Sequence, residues 1–122
     1  MSHMSISVGT HRTRRVLADM GFYLEWDLVG WEGLYPQQPT PLDIPSDQGQ
    51  IRQIMDIIKE GYLDRVLISH DICARVRISR YGGSGYAHIL ETITPLMLQK
   101  GMTKEQIETI TVKNPQRAFT FV

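Results

Sequence analysis

The stretch that most constrains this chain is Val66-Leu67-Ile68, followed at once by Ser69-His70-Asp71. Three consecutive apolar, mostly β-branched residues suit a short buried strand. A continuous apolar run between helical patterns marks a strand covered on both faces, as in a parallel sheet. In barrels of such strands the chemistry sits at the strands' C-terminal ends. A carboxylate beside a histidine at that end suits a metal ligand or a general base. The competing reading is that Asp71 caps a turn and His70 fills space, because a lone His-Asp dipeptide is a weak signal.

The flanking segments are built to cover such a strand. From Asp47 to Glu60, Ile51, Ile54, Met55, Ile57 and Ile58 fall on one broad helical face, with Ser46 or Asp47 as the cap and Gly61 as the stop. Tyr62–Arg65 is then a short connection into the strand. Upstream, His11–Met20 suits an amphipathic helix with Thr10 at its N-cap, Gly21 at its end, and its arginines on a solvated face. Phe22–Asp27 is aromatic-rich and suits a second strand, in which Glu25 needs a partner if it points inward. Downstream, Tyr86–Lys100 shows helical spacing that Pro95 should kink. Thr103 and Gln106 form a capping-box pattern for a short helix to Val112. Asn114-Pro115 is expected to open a last turn that docks Phe119 and Phe121.

Two loops carry candidate site residues. Leu28–Ser46 holds Gly30, Gly33 and four prolines, a length with little expected structure that is often functional in a barrel. Within it, Trp31 and Tyr35 either line a substrate pocket or cover the barrel mouth. The second loop runs through Arg75, Arg77 and Arg80 into Gly82, Gly83 and Gly85. Arginines with glycines suit a phosphate, but neither the P-loop lysine nor the dinucleotide fingerprint is present. The glycines read as a tight turn into the next helix, and Arg75 and Arg77 as substrate contacts facing the metal site or as solvated charges. His88, just inside that helix, reads as structural.

Composition removes several classes of function. The 13 basic residues balance the 13 acidic ones, and nothing in that balance suggests a surface for nucleic acid or a membrane. No apolar run approaches the roughly 18 residues of a membrane span, and no signal-peptide pattern opens the chain. The single Cys73 excludes an internal disulfide and suits a reducing, cytoplasmic setting.

Ser69-His70-Asp71-Ile72-Cys73, then Arg75 and Arg77, then Tyr81-Gly82-Gly83-Ser84-Gly85-Tyr86-Ala87-His88-Ile89-Leu90, strongly resemble the closing part of the phosphotriesterase family. These are metal-dependent hydrolases of the amidohydrolase superfamily. Met97, Gly101, Asn114-Pro115 and Phe119 continue the resemblance, which covers nearly the whole chain. It implies an α/β fold: residues 1–122 as the C-terminal part of a (β/α)8 barrel, about strands 6–8 with their helices. A whole barrel takes about 250 residues, so about three of eight units fit.

The resemblance also implies roles. Asp71 falls on the carboxylate that binds one of two metals and takes a proton from the attacking water. His3 falls on a histidine that ligates the second metal at the end of strand 6; Ser-His-Met is also a common cloning remnant, and that reading competes. Ser5 stands where the family usually has an aspartate. Asp27, at the end of strand 7, becomes a substrate-contacting or leaving-group-side residue, against the competing reading of a carboxylate that caps the following loop; Trp31 and Arg75 stand as candidate substrate contacts from the loop readings above. The implied cofactor is zinc, two divalent ions per complete site. The implied substrates are small molecules with an ester, lactone, amide or phosphotriester bond. Only two of about six ligand positions are present, and a zinc site needs at least three protein ligands. The expectation is therefore that these 122 residues alone are inactive unless an N-terminal segment completes the barrel. An open barrel edge favours association, including homo-oligomers. The alternative is a non-catalytic truncated barrel acting as an interaction module.

Overall fold

The structure is a computed structural model that describes residues 1–6, 10–31, 33–35 and 42–121, with only the backbone of 33–35 and 42–43. Its centre is a parallel pair, β1 (Leu24–Trp26) and β4 (Val66–Ile68), in the register Leu24–Val66, Glu25–Leu67 and Trp26–Ile68. Residues 1–4 run along the other edge of β1. The Met1 amino group donates to the Tyr23 carbonyl at 3.0 Å, the Glu25 N–H to the Met1 carbonyl at 2.9 Å, and the Met4 N–H to the Glu25 carbonyl at 3.0 Å. Three chain segments thus lie side by side, as the barrel reading expects.

Helices pack on one face of this arc. In α1 (His11–Asp19) the Thr10 hydroxyl accepts from the Thr13 N–H as the N-cap. Ser46 caps α2 (Asp47–Lys59) in the same way through Gly49. Ile51, Ile54 and Ile57 of α2 are essentially fully buried against Leu24, Trp26 and Val66. Each such side chain is worth roughly 1.5–3 kcal/mol on burial, so this face alone holds the helix on the strands. Leu24 and Trp26 share one face of β1, and the alternation of a strand sends Glu25 to the other.

The last third departs from a simple helical reading. A π turn at Ile89–Ile93 precedes α3 (Thr94–Gln99), and a second at Thr109–Lys113 joins α4 (Lys104–Glu108) to α5 (Asn114–Phe119). Each π turn runs into an X-Pro step, Thr94-Pro95 and Asn114-Pro115. A proline inside a helix lacks an N–H and crowds the carbonyl four residues back. The widened turn absorbs that conflict. The capping box at Thr103 and Gln106 forms in full. Asn114 is fully buried, and its amide donates to the carbonyls of Leu63 (2.8 Å) and Val66 (2.7 Å), which ties α5 to the start of β4.

Three expectations are corrected. Arg14 is not on a solvated face: it is 5% exposed, donates from Nε to the Met4 carbonyl at 3.0 Å, and lies over the Trp26 ring. Phe119 and Phe121 do not dock; they are 70% and 100% exposed, because the anchor of this segment is Asn114. The 28–46 segment is not structureless: β2 (Gly33–Tyr35) and β3 (Leu42–Ile44) pair antiparallel within it. Among the described residues no helix is long and apolar enough to cross a membrane.

Candidate functional site

The C-terminal ends of the three parallel segments lie together, and each delivers one of the expected polar residues. Below them Glu25 is tied to both neighbours: Ser2 Oγ donates to one carboxylate oxygen and Ser69 Oγ to the other, each at 3.1 Å. Glu25 thereby finds the partners that an inward-facing carboxylate needs.

One step further along stand His3 and Asp27. The His3 backbone N–H donates to Asp27 Oδ1 at 2.9 Å, and His3 Nδ1 lies 2.9 Å from the same carboxylate. Asp27 is buried, and desolvation pushes its carboxyl above the ordinary range, opposed by the hydrogen bond and charge of His3. The carboxylate fixes the ring through Nδ1, and the His3 side chain stays 45% exposed. A histidine held this way presents Nε2 as a ligand nitrogen. Asp71 stands at the same end of the adjacent strand. It is exposed and makes no side-chain hydrogen bond to His3 or Asp27 among the described residues.

His3 (φ +60°) and Asp71 (φ +44°) are the two non-glycine residues with positive φ among those described. That conformation costs an L-residue about 1–2 kcal/mol, and such strain gathers where function demands a fixed geometry. As metal ligands the two fit in kind, a nitrogen and a carboxylate oxygen, but not in number. Among the described residues no group of three His, Cys, Asp or Glu is placed to hold a metal ion.

A second layer covers the strand ends. Trp31 is buried, and its Nε1 donates to the His70 carbonyl at 2.8 Å. His70 has one ring nitrogen 3.3 Å from the Val29 carbonyl and the other 3.2 Å from the Tyr86 carbonyl. Gly30 is the junction. Its N–H donates to Asp47 Oδ1 at 2.8 Å, its carbonyl accepts from Ser84 Oγ, and Asp47 Oδ2 meets His88 Nε2 at 2.7 Å. Arg77 lies 3.5 Å over the Trp31 ring, whereas Arg75 is exposed with its guanidinium 5.8 Å from the Tyr81 ring centre. The Tyr35 side chain lies outside the described residues.

Sequence reasoning did not find the Asp47–His88 pair or the Arg77–Trp31 stack. The partners are 41 and 46 residues apart, and no local spacing signals either.

The sequence profile of the phosphotriesterase family matches residues 1–119. The chain is 44% identical over 121 residues to "N-acetyltaurine hydrolase" of Danio rerio and 44% identical to "Phosphotriesterase-related protein" of Nematostella vectensis, covering 99% of this chain and 35% of each relative. Among solved structures, a resiniferatoxin-binding protein from Rhodobacter sphaeroides superposes with a TM-score of 0.89 at 36% identity, covering 97% of this chain and 32% of that one. The chain therefore spans about a third of the length of the relatives it matches, in the α/β arrangement of their barrels. It belongs to the phosphotriesterase family.

Proposed function

We propose that this chain carries the strand 6–8 part of a metal-dependent hydrolase site, with His3 and Asp71 as metal ligands, and that the bond cleaved is an amide or a related acyl bond of a small molecule. One observation carries the reading: the two residues expected as ligands are the two non-glycine positions with positive φ in the described chain, His3 in the segment along the edge of β1 and Asp71 just after β4. The name of the Danio rerio relative, an N-acetyltaurine hydrolase, supports hydrolysis as the activity and an N-acyl compound as the substrate.

The geometry supports a role for each residue. His3 offers Nε2 while Asp27 holds Nδ1. Asp71 offers a carboxylate that both ligates and accepts the proton of an attacking water. A divalent metal held by these residues and others would supply a water acidic enough to react near neutral pH. Zinc is the proposed metal, since a histidine–carboxylate donor set suits it. The missing ligands would come from the strands that relatives hold in their other two thirds. Lactone, ester and phosphotriester substrates belong to the same proposal, because each presents an electrophilic centre to that water.

The test joins residues 1–122 to the first two thirds of the Danio rerio relative and assays N-acetyltaurine hydrolysis with and without added zinc. Hydrolysis that Asp71→Asn removes, in a protein with an unchanged circular dichroism spectrum, supports the reading. Equal hydrolysis by the Asp71→Asn protein overturns it.

A further inference from the structure

We propose that the cleft beside Trp31 is a subsite for a small oxyanionic head group, a sulfonate or carboxylate, and that Arg77 is the residue that binds it. The proposal deepens the hydrolase reading and rests on it for the identity of the bound molecule as substrate.

The first argument is the state of Arg77. Its guanidinium is stacked 3.5 Å over the Trp31 ring, and Trp31 is itself buried and bonded to the His70 carbonyl. Stacking on an indole holds the guanidinium plane and leaves the in-plane N–H fork free for an oxyanion. Other arginines have their charge or donors answered: Arg14 by the Met4 carbonyl, Arg15 by Glu60, Arg117 by Asp64. Arg77 pairs with no carboxylate among the described residues. Its backbone is fixed as well, because its N–H donates to the Ala74 carbonyl and its carbonyl accepts from the Gly85 N–H, both at 2.9 Å. A fixed, unpaired guanidinium is what bidentate recognition of an oxyanion requires.

The second argument is the space it faces. Arg77, Ser84, Gly82, Gly83, His88 and Asp47 line a cleft of about 480 Å³. Small-molecule sites run to about 300–1,000 Å³. Asp47, on the same cleft, places one oxygen on the Gly30 N–H and the other on His88 Nε2.

The third argument is its relation to Asp71. A smaller pocket is lined by Trp31, Arg77, His70 and Ile72, the last two flanking Asp71. Trp31 is thus clamped between Arg77 and the residue before Asp71. A molecule whose anionic end sits on Arg77 is held at one end by a part of the fold rigidly joined to the expected chemistry. Substrates would then be small acyl compounds with an anionic tail, and uncharged esters would bind poorly.

The experiment records proton–nitrogen correlation spectra of the labelled protein during titration with ethanesulfonate, and separately with ethyl methyl sulfone, its uncharged counterpart. The expected result is saturable shifts of the Trp31 Nε1–H and Arg77 Nε–H signals with the sulfonate alone. Arg77→Gln should weaken binding at least tenfold with the rest of the spectrum unchanged, Arg77→Lys should retain part of it, and Arg80→Gln should leave it intact. Shifts linear in concentration, or saturation that survives Arg77→Gln, overturn the proposal. The joined protein described above separates the two readings. Saturable sulfonate binding without any hydrolysis sinks the hydrolase reading alone. Hydrolysis of N-acetyltaurine with KM unchanged by Arg77→Gln sinks the anion subsite alone.

Discussion

Gly30→Ala probes the junction on which the second layer depends. Gly30 has φ +85°, and a Cβ there would lie 2.9 Å from both Cβ and Oγ of Ser84 and 3.1 Å from Cδ2 of His88. Two costs add. An L-residue in the left-handed region costs about 1–2 kcal/mol, and forcing atoms into filled space costs about 1–3 kcal/mol. The sum is about 2–5 kcal/mol. Gly21 supplies the control, with φ +86° and nothing within 4 Å of its Cβ position. Gly21→Ala should lose only the backbone cost, about 1–2 kcal/mol. Urea denaturation followed by circular dichroism measures both. With a slope of about 1–3 kcal/mol per molar urea, the extra cost at Gly30 moves the midpoint by about 1 M beyond Gly21→Ala. The double variant Gly30→Ala/Ser84→Gly should recover part of the difference, since the Ser84 side chain is one of the two obstacles. Equal midpoints for the two single variants would refute the claim that the Ser84–His88 segment rests on Gly30.

Further predictions follow from other contacts. Asn114→Ala removes two buried hydrogen bonds to the carbonyls of Leu63 and Val66 and opens space; the expected loss is about 2–4 kcal/mol by urea denaturation. Asp27→Asn should change how stability depends on pH in metal-free protein. Burial raises the folded carboxyl above its unfolded value, so the native state binds more protons there and stability falls as pH rises from about 4 through that window. Thermal melts across that range should show a flatter profile for the variant, and an unchanged slope would count against the burial argument. Phe119→Ser and Phe121→Ser should each shift stability by no more than about 0.5 kcal/mol, because both rings are exposed; a loss of 2 kcal/mol or more would show that they dock after all.

What was legible in the sequence follows the range of the interaction. The isoleucine spacing of α2, the Thr10, Ser46 and Thr103 caps, and the strand at Val66–Ile68 are local signals, and all appear where expected. His3 was reached through resemblance and Asp71 also from its place after the apolar strand, and what the two share, a positive φ, has no sequence mark in a histidine or an aspartate. Arg14 was misread because a charged residue in a run of arginines looks solvated. Burial became affordable only because the Met4 carbonyl and Trp26 ring meet it from other segments. The same holds for Arg77, which spacing could not distinguish from Arg75; a stack on Trp31, 46 positions away, makes the difference. Phe119 looked like an anchor by hydrophobicity, yet Asn114 does that work through two hydrogen bonds that composition does not reveal.

The most direct test of the central claim is elemental analysis of the metal held by the protein that joins residues 1–122 to the first two thirds of the Danio rerio relative, with His3→Ala and Asp71→Asn measured beside it. The account predicts two divalent ions per chain in the parent and a lower content in each variant at unchanged helical content. Full metal content in both variants would contradict the assignment of His3 and Asp71 as ligands.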